Sequence, residues 1–295
     1  MSTIGAWLLV CGSAAAVSCI ASRLLIVLAP RLGFVDHPDT RKAHVTPTPL
    51  MGGVAVYLGA LAGVAIDLLA GSSFSCTPAV FLPATLAAIG FGLFDDYLAL
   101  TPWPKLAGLL VIAAIPSAAG LLSGTWTVPT AVLLGMAVLL SANSFNLLDN
   151  CDGLCASVAA VALAGTAALR GSVMAGAGAA ALLGFLVWNR PRARIFLGDA
   201  GSLLVGTWCA LCALAPAPGT TRIFAWQMLP VFIVPACDTA FVIVIRSLAG
   251  RSIMQGGQDH LSHRLVRAGL PVIAVDLLLA GVTALGCLAA WWLMG

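Results

Sequence analysis

Long apolar runs and short polar gaps alternate along all 295 residues of the chain. The runs cover 5–29, 51–70, 78–94, 106–122, 129–142, 154–169, 172–188, 202–216, 226–246 and 271–293. Most approach the ~17–25 residues that an α-helix needs to cross a bilayer. They are apolar on every side and lack the two-residue alternation of a barrel strand, so they predict helices. The shorter runs stop at polar motifs, into which their helices must continue. The expected fold is all-α: a polytopic integral membrane protein of about ten transmembrane helices, with 1–295 as a single domain.

Only 8% of the residues are charged and 61% are hydrophobic, with a mean hydropathy of +1.05. A soluble domain averages roughly 25% charged residues, which excludes a soluble domain of any size here. Arg23, Arg31, Arg41, Lys42, Lys105, Arg190, Arg192, Arg194, Arg246, Arg251, Arg264 and Arg267 fall on one face, and Arg170 and Arg222 on the other. The positive-inside rule makes the first face cytoplasmic, and an even number of spans puts both termini outside. The net charge of +3 is spread over these short loops and implies no nucleic-acid partner. No cation precedes Arg23, so the first run reads as a retained helix rather than a leader. The nine cysteines lie mostly inside apolar runs, where Cys behaves as a small hydrophobe, and form neither a zinc pattern nor a disulfide framework.

All eleven acidic residues are Asp. Asp36, Asp39, Asp95, Asp96, Asp149, Asp152, Asp199 and Asp259 fall in or beside the cytoplasmic gaps. Asp238 lies a little above them, and Asp67 and Asp276 stand isolated. The densest polar stretch is Asn143-Ser144-Phe145-Asn146-Leu147-Leu148-Asp149-Asn150-Cys151-Asp152-Gly153. A helix cap needs one such residue, and polar groups at a membrane mouth are costly unless they have a task. Asp95 and Asp96 are adjacent and repel, so they call for a nearby cation. Asp199 lies between Gly198 and Gly201, where backbone can approach a ligand closely. Pro38, Pro47, Pro49 and the pair Gly52-Gly53 make the first gap a fixed, non-helical arm. Its Arg41 and Lys42 either hold an anion or anchor the membrane surface. In the last gap, His260 and His263 share a helix face, and with Asp259 and Arg264 they read as an anion clamp, with Arg251 close in sequence.

Five segments, in this order and on one face, resemble the polyprenyl-phosphate N-acetylhexosamine-1-phosphate transferase family. They are Asp36-x-Pro38-x-x-Arg41-Lys42-x-His44 with Gly52-Gly53; Asp95-Asp96; Asn143-x-x-Asn146-x-x-Asp149-x-x-Asp152-Gly153; Phe196-x-Gly198-Asp199-x-Gly201; and His260-x-x-His263-Arg264. The resemblance covers nearly the whole chain. It implies a bacterial inner-membrane enzyme with a cytoplasmic active site, working in cell-envelope polysaccharide synthesis such as that of O-antigen or teichoic acid. The implied reaction moves N-acetylhexosamine 1-phosphate, N-acetylglucosamine 1-phosphate foremost, from a UDP-sugar to undecaprenyl phosphate and releases UMP. Mg2+ is the implied cofactor, with Mn2+ as a substitute.

By position, Asp199 is the implied metal ligand, helped by Asp95 and Asp149, and Asp96 stands beside the metal and the lipid phosphate. Asn146, Asp149, Asp152, Asn189 and Phe196 form the implied uridine pocket. His260, His263 and Arg264 hold the diphosphate or the sugar, and Arg41, Lys42 and Arg251 add anion-binding charge. The oligomeric state stays open, a homodimer being one option. Two positions depart from the family pattern. Asn150 stands where Gly is usual, and Ser262 stands where the family carries a His adjacent to His263.

The chemistry asks for such a site independently of the family. A lipid phosphate and a nucleotide diphosphate must meet, and their repulsion has to be neutralised by a divalent cation and by Arg, Lys or His donors. Two other classes compete. Asp152-Gly153-x-x-Ala156 begins like the motif of CDP-alcohol phosphotransferases, but Ser157 then replaces the Arg expected there, and no Asp pair follows at the required spacing. A secondary transporter would place polar groups near the midplane, with internal repeats. Here they lie at one face and no repeat is visible.

Overall fold

The computed structural model describes residues 3–38, 46–70, 78–216, 224–254 and 257–295. Among them run α1 (Thr3–Leu28), α2 (Gly52–Leu69), α3 (Pro78–Leu98), α4 (Pro102–Leu122), α5 (Val128–Leu148), α6 (Leu154–Arg170), α7 (Val173–Asn189), α8 (Gly198–Leu214), α9 (Ile233–Leu248), α10 (Leu261–Arg267) and α11 (Val272–Met294). Seven apolar helical segments are long enough to cross a membrane, and α6, α7 and α8 are three shorter ones. The ninth run opens as a 3-10 turn, Trp226–Phe232, before α9. These segments correspond to the predicted apolar runs, and the protein is a multi-pass, all-α membrane protein. The short α10 lies in the last polar gap.

The helix ends depart from the apolar runs in one consistent way. α3 continues to Leu98, α5 continues to Leu148, and α8 begins at Gly198. Asp95, Asp96, Asn143, Asn146 and Asp199 therefore stand on terminal helical turns rather than in loops. A helix satisfies its own backbone, so polar side chains do not stop it when they face a shared polar space.

The axis of the fold is α8, buried along almost its whole length. It packs against α2, α3, α5, α6 and α7. The enclosed α6, α7 and α8 have 17 residues each, whereas α1, α4 and α11, which expose apolar faces, have 26, 21 and 23. Two neighbours reach the first turn of α8 through glycine. A Cβ on Gly53 would lie 2.3 Å from Cα of Gly201, and a Cβ on Gly92 would lie 2.3 Å from Cα of Ala200. Gly92→Ala should therefore force α3 away from α8, at a cost of about 1–3 kcal/mol. On the same helix, a Cβ on Gly90 meets nothing within 4 Å. Gly90→Ala should be neutral or slightly stabilising, because Ala is the better helix former. Thermal unfolding of the two variants checks the pair of outcomes.

After a 3-10 turn at Ala29–Leu32, the described residues of the first gap, 33–38 and 46–51, are non-helical, as its prolines predict. Strand β1 (Val35–Asp36) pairs antiparallel with β2 (Thr48–Pro49), setting Val35 opposite Pro49 and Asp36 opposite Thr48. The arm then docks on the segment that leads into α8. Phe196 N donates to Pro49 O at 2.9 Å, Gly52 N to Phe196 O at 3.0 Å, and Gly53 N to Leu197 O at 2.9 Å. Arg41 and Lys42 fall in 39–45, outside the described residues.

Candidate active site

Four helix ends converge at Asp199: the C-terminal turns of α3 and α5 and the N-terminal turns of α4 and α8. Asp96 accepts hydrogen bonds from the backbone N–H of Asp199 at 2.8 Å and of Ala200 at 3.1 Å. It thus caps α8 from a neighbouring helix, satisfying amides that a helix N-terminus leaves unpaired. Asp95 ends α3, its Oδ1 accepting from Leu100 N at 3.0 Å. Lys105 on α4 joins the two helices: its Nζ lies 3.0 Å from Asp95 Oδ2 and 2.9 Å from Asp199 Oδ2. From α5, Asn146 Nδ2 donates to Asp199 Oδ1 and, at 2.9 Å, to Ser202 Oγ. The Asp199 side chain is 27% exposed and that of Asp95 only 3%. Asp95 is therefore the floor of the site, and Asp199 faces its opening.

The turn after α5 forms the next wall. Burial pushes the Asp149 carboxyl well above the usual carboxylate range; Asp199, Asp96 and Asp152 push it the same way, and Lys105 opposes them. Asp152 Oδ2 accepts from the backbone N–H groups of Arg192 and Ala193, both at 3.0 Å. It thereby holds the Arg190–Arg194 loop in a turn where Arg192 adopts a left-handed φ of 67°. Asn189 is buried and bridges two backbones. Its Oδ1 accepts from Gly153 N at 3.1 Å, and its Nδ2 donates to Ile195 O at 2.8 Å. Phe196 follows directly, fixed by its contacts with the arm.

Helix α10 closes the remaining side. Asp238 on α9 caps it: Oδ1 accepts from Leu261 N at 2.8 Å, and Oδ2 lies 2.7 Å from His260 Nδ1. His263 faces the turn after α5, with Nδ1 3.8 Å from Cys151 Sγ. Burial, then the charges of His260 and Arg267, push its pKa below the usual histidine value. Arg264 stacks over Phe241, 4.9 Å from the ring centre. Arg251 Nη2 lies 2.9 Å from Asp259 Oδ1, and Arg246 Nε lies 3.0 Å from Asp259 Oδ2. The site thus gathers Asp95, Asp96, Asn146, Asp149 and Asp199 into one cluster. It sets Asp152, Asn189 and Phe196 in the adjoining loops and His263 against the turn. His260 is engaged by Asp238, and Arg251 by Asp259.

Among the described residues, no group of three or more His, Cys or Asp side chains forms a ready-made metal cage. Mg2+ does not need one, since it keeps several waters and binds through one or two carboxylates plus substrate phosphates. The telling observation is the Lys105 ammonium between Asp95 and Asp199, in a cluster where carboxylates outnumber it. Two hard oxygen donors already share one cation there, so Asp199 and Asp95 fit Mg2+ by donor type and by charge.

The description "glycosyl transferase family 4" belongs to the family model that matches residues 78–217, the stretch from α3 to just past α8 that carries the carboxylate cluster. The decaprenyl-phosphate N-acetylglucosaminephosphotransferase of Mycobacterium leprae is 33% identical, across 93% of this chain and 81% of that relative. The chain belongs to glycosyl transferase family 4. Further relatives include the probable undecaprenyl-phosphate N-acetylglucosaminyl 1-phosphate transferase of Bacillus subtilis, 31% identical across 82% of this chain and 72% of its own length. The phospho-N-acetylmuramoyl-pentapeptide-transferase of a Synechococcus strain is 36% identical across 63% and 60%.

Three residues of this glycosyl transferase family 4 site escape reasoning from sequence. Lys105 reads as a membrane-surface anchor, although Lys42 and Lys105 are the only lysines in the chain. Asp238 sits inside a span, yet it caps α10 and holds His260. Asp276, expected to stand isolated, is buried on α11, and its Oδ2 lies 2.8 Å from where a Cβ on Gly153 would be. The contact with the turn after α5 comes from α11 packing on α6, which sequence distance conceals. The available signal was an ionisable residue inside an apolar run, which is costly without a partner or a role.

Proposed function

We propose that this protein transfers an N-acetylhexosamine 1-phosphate, N-acetylglucosamine 1-phosphate foremost, from a UDP-sugar to a polyprenyl phosphate such as undecaprenyl phosphate. The observation that carries this reading is the Asp199–Lys105–Asp95 cluster at converging helix ends. It occurs in a chain whose relatives are named for polyprenyl-phosphate N-acetylglucosamine-phosphate transfer. A phosphate oxygen of the lipid attacks the β-phosphorus of the donor. The new P–O bond forms as the bond from the β-phosphorus to the bridging oxygen breaks, and UMP leaves with the electron pair. The lipid phosphate needs little help from a base, because a phosphate monoester has its second pKa at about 6.

Mg2+ held by Asp199 and Asp95, or Mn2+ in its place, would supply the charge neutralisation that lets two anions meet. Asn146 keeps the Asp199 carboxylate aimed at the opening, and Asp96 holds the backbone beneath it. Asp149, Asp152 and Asn189 shape the wall that takes the uridine, and Phe196 offers a ring to stack on uracil. His263 and Arg264 serve as donors to the diphosphate and the sugar in this reading, with His260 bracing their helix. Arg41 and Lys42 of the first gap and Arg251 of the last add anion-binding charge, Arg251 from its ion pair with Asp259.

Stacking on an aromatic ring is worth on the order of 1–3 kcal/mol per base. Phe196→Ala should therefore raise the donor KM roughly tenfold or more, with the lipid KM changed much less; an unchanged donor KM would count against this pocket. The basic residues favour a cytoplasmic site and outer termini in a bacterial inner membrane. A membrane-impermeant thiol probe on intact cells should then label cysteine tags at residues 1 and 295 and leave tags in 253–258 unlabelled. The reverse pattern would overturn the orientation.

The reading itself is tested with purified protein, undecaprenyl phosphate, Mg2+ and a panel of UDP-sugars. UDP-N-acetylglucosamine should yield UMP and move the sugar into the organic phase. Transfer confined to UDP-sugars without an N-acetyl group would refute the proposed donor.

A further inference from the structure

The two positions that depart from the family pattern touch each other. Ser262 Oγ donates to Asn150 Oδ1 at 2.5 Å. Ser262 is 1% exposed, so this hydroxyl has no access to water. The other end of the Asn150 amide is also committed, Nδ2 donating to Leu147 O at 2.8 Å in the last turn of α5. One side chain thus ties a carbonyl at the end of α5 to the first turn of α10. On either side of this tie stand the groups placed at opposite ends of the donor. Asp149 and Asp152 flank Asn150, and His263 and Arg264 follow Ser262.

The departures also compensate in size. Asn has as many more heavy atoms than Gly as His has more than Ser. The two changes together therefore leave the number of atoms in the gap unchanged, while either alone does not. Ser262→His by itself would push an imidazole from a buried position against the half-buried Asn150. Asn150→Gly by itself would take away the amide oxygen that the buried Ser262 hydroxyl bonds and leave it only the neighbouring Cys151 thiol, a weak partner.

We propose that Asn150 and Ser262 are a matched positioning pair that sets the gap between the turn after α5 and α10, and so governs affinity for the UDP-sugar. The inference rests on the donor reading above. The pair holds the nucleoside wall and the diphosphate donors at one separation, and neither residue touches the reacting atoms. Contacting residues commonly couple strongly enough to shift an equilibrium tenfold.

A double-mutant cycle tests it, with UMP release and thermal unfolding measured on every variant. Asn150→Gly and Ser262→His should each raise the donor KM about tenfold and change kcat and the lipid KM much less. The double variant should return to within about threefold of the original KM. Ser262→Ala, which removes the hydroxyl without adding bulk, should raise the donor KM, and Ser262→Thr, which keeps it, should recover most of the affinity. Fold-changes that simply multiply in the double variant, or a loss confined to kcat, would overturn the pairing. If the unsubstituted protein releases no UMP from any UDP-sugar, the donor reading fails first. The pair is then judged on melting temperatures, where non-additive shifts sustain it as a coupled contact and additive ones overturn it.

Discussion

Asp199→Asn will give a folded protein that turns over roughly a thousandfold more slowly, a loss of several kcal/mol of transition-state stabilisation. The fold should tolerate the change because Asp199 does not cap α8. That work falls to Asp96, whose carboxylate accepts the backbone N–H groups of residues 199 and 200, and Asn at 199 keeps its N–H. Asn146 can still donate to the remaining side-chain carbonyl. What disappears is the ion pair with Lys105, both partners of which are about a quarter exposed, so its stability cost stays near 1 kcal/mol or less. The charge that would hold Mg2+ disappears with it. UMP release and melting temperature, measured together, separate catalysis from folding. Near-normal turnover in this variant would remove Asp199 from the metal site.

Lys105→Met should slow turnover about a hundredfold, the scale of deleting one oriented charge from a reacting site. Its Nζ is shared between Asp95 and Asp199, so the change leaves two carboxylates facing each other over a buried floor. Stability should fall by about 1–2 kcal/mol, less than for a fully buried pair because water reaches the Lys105 side. The variant also separates two roles for the lysine. An ammonium bound to Asp199 competes with Mg2+ for the same oxygen, so its removal should lower the Mg2+ concentration for half-maximal rate even as the maximal rate drops. Lys105→Arg keeps the charge but presents a planar fork in place of a point charge, and should fall between. A Lys105→Met protein with unchanged rate and unchanged Mg2+ response would mean that this lysine only anchors the membrane surface.

The spans are legible in the sequence because a bilayer tolerates only long apolar helices, and each run records one. Their ends are not, because composition changes before the helix stops. Asp95, Asp96 and Asn146 look like loop residues and lie on α3 and α5. The carboxylates of the site are legible because Asp at a membrane mouth is conspicuous. Their division of labour depends on contacts between distant segments, which spacing does not reveal: Asp96 and Asp152 bind backbone amides, whereas Asp199 meets side chains and the opening. The cation at the centre is missed for a related reason. Lys105 follows Pro102 and Pro104 at the start of a span, where a lysine has an ordinary explanation in membrane orientation. Only the convergence of α3, α4 and α8 assigns it a second one. His260 and Arg251 show the converse: plausible anion donors in the sequence, they are already engaged by Asp238 and Asp259.

The central claim is that a sugar phosphate moves, not a sugar alone. It is tested most directly with UDP-N-acetylglucosamine radiolabelled at the β-phosphorus, incubated with the purified protein, undecaprenyl phosphate and Mg2+. Attack on that phosphorus must carry the label into the lipid product and release unlabelled UMP, and omitting the lipid or the metal should abolish both. Label that remains in water-soluble UDP while the sugar enters the lipid would contradict the account, because the bond broken would then be the one between the sugar and its phosphate.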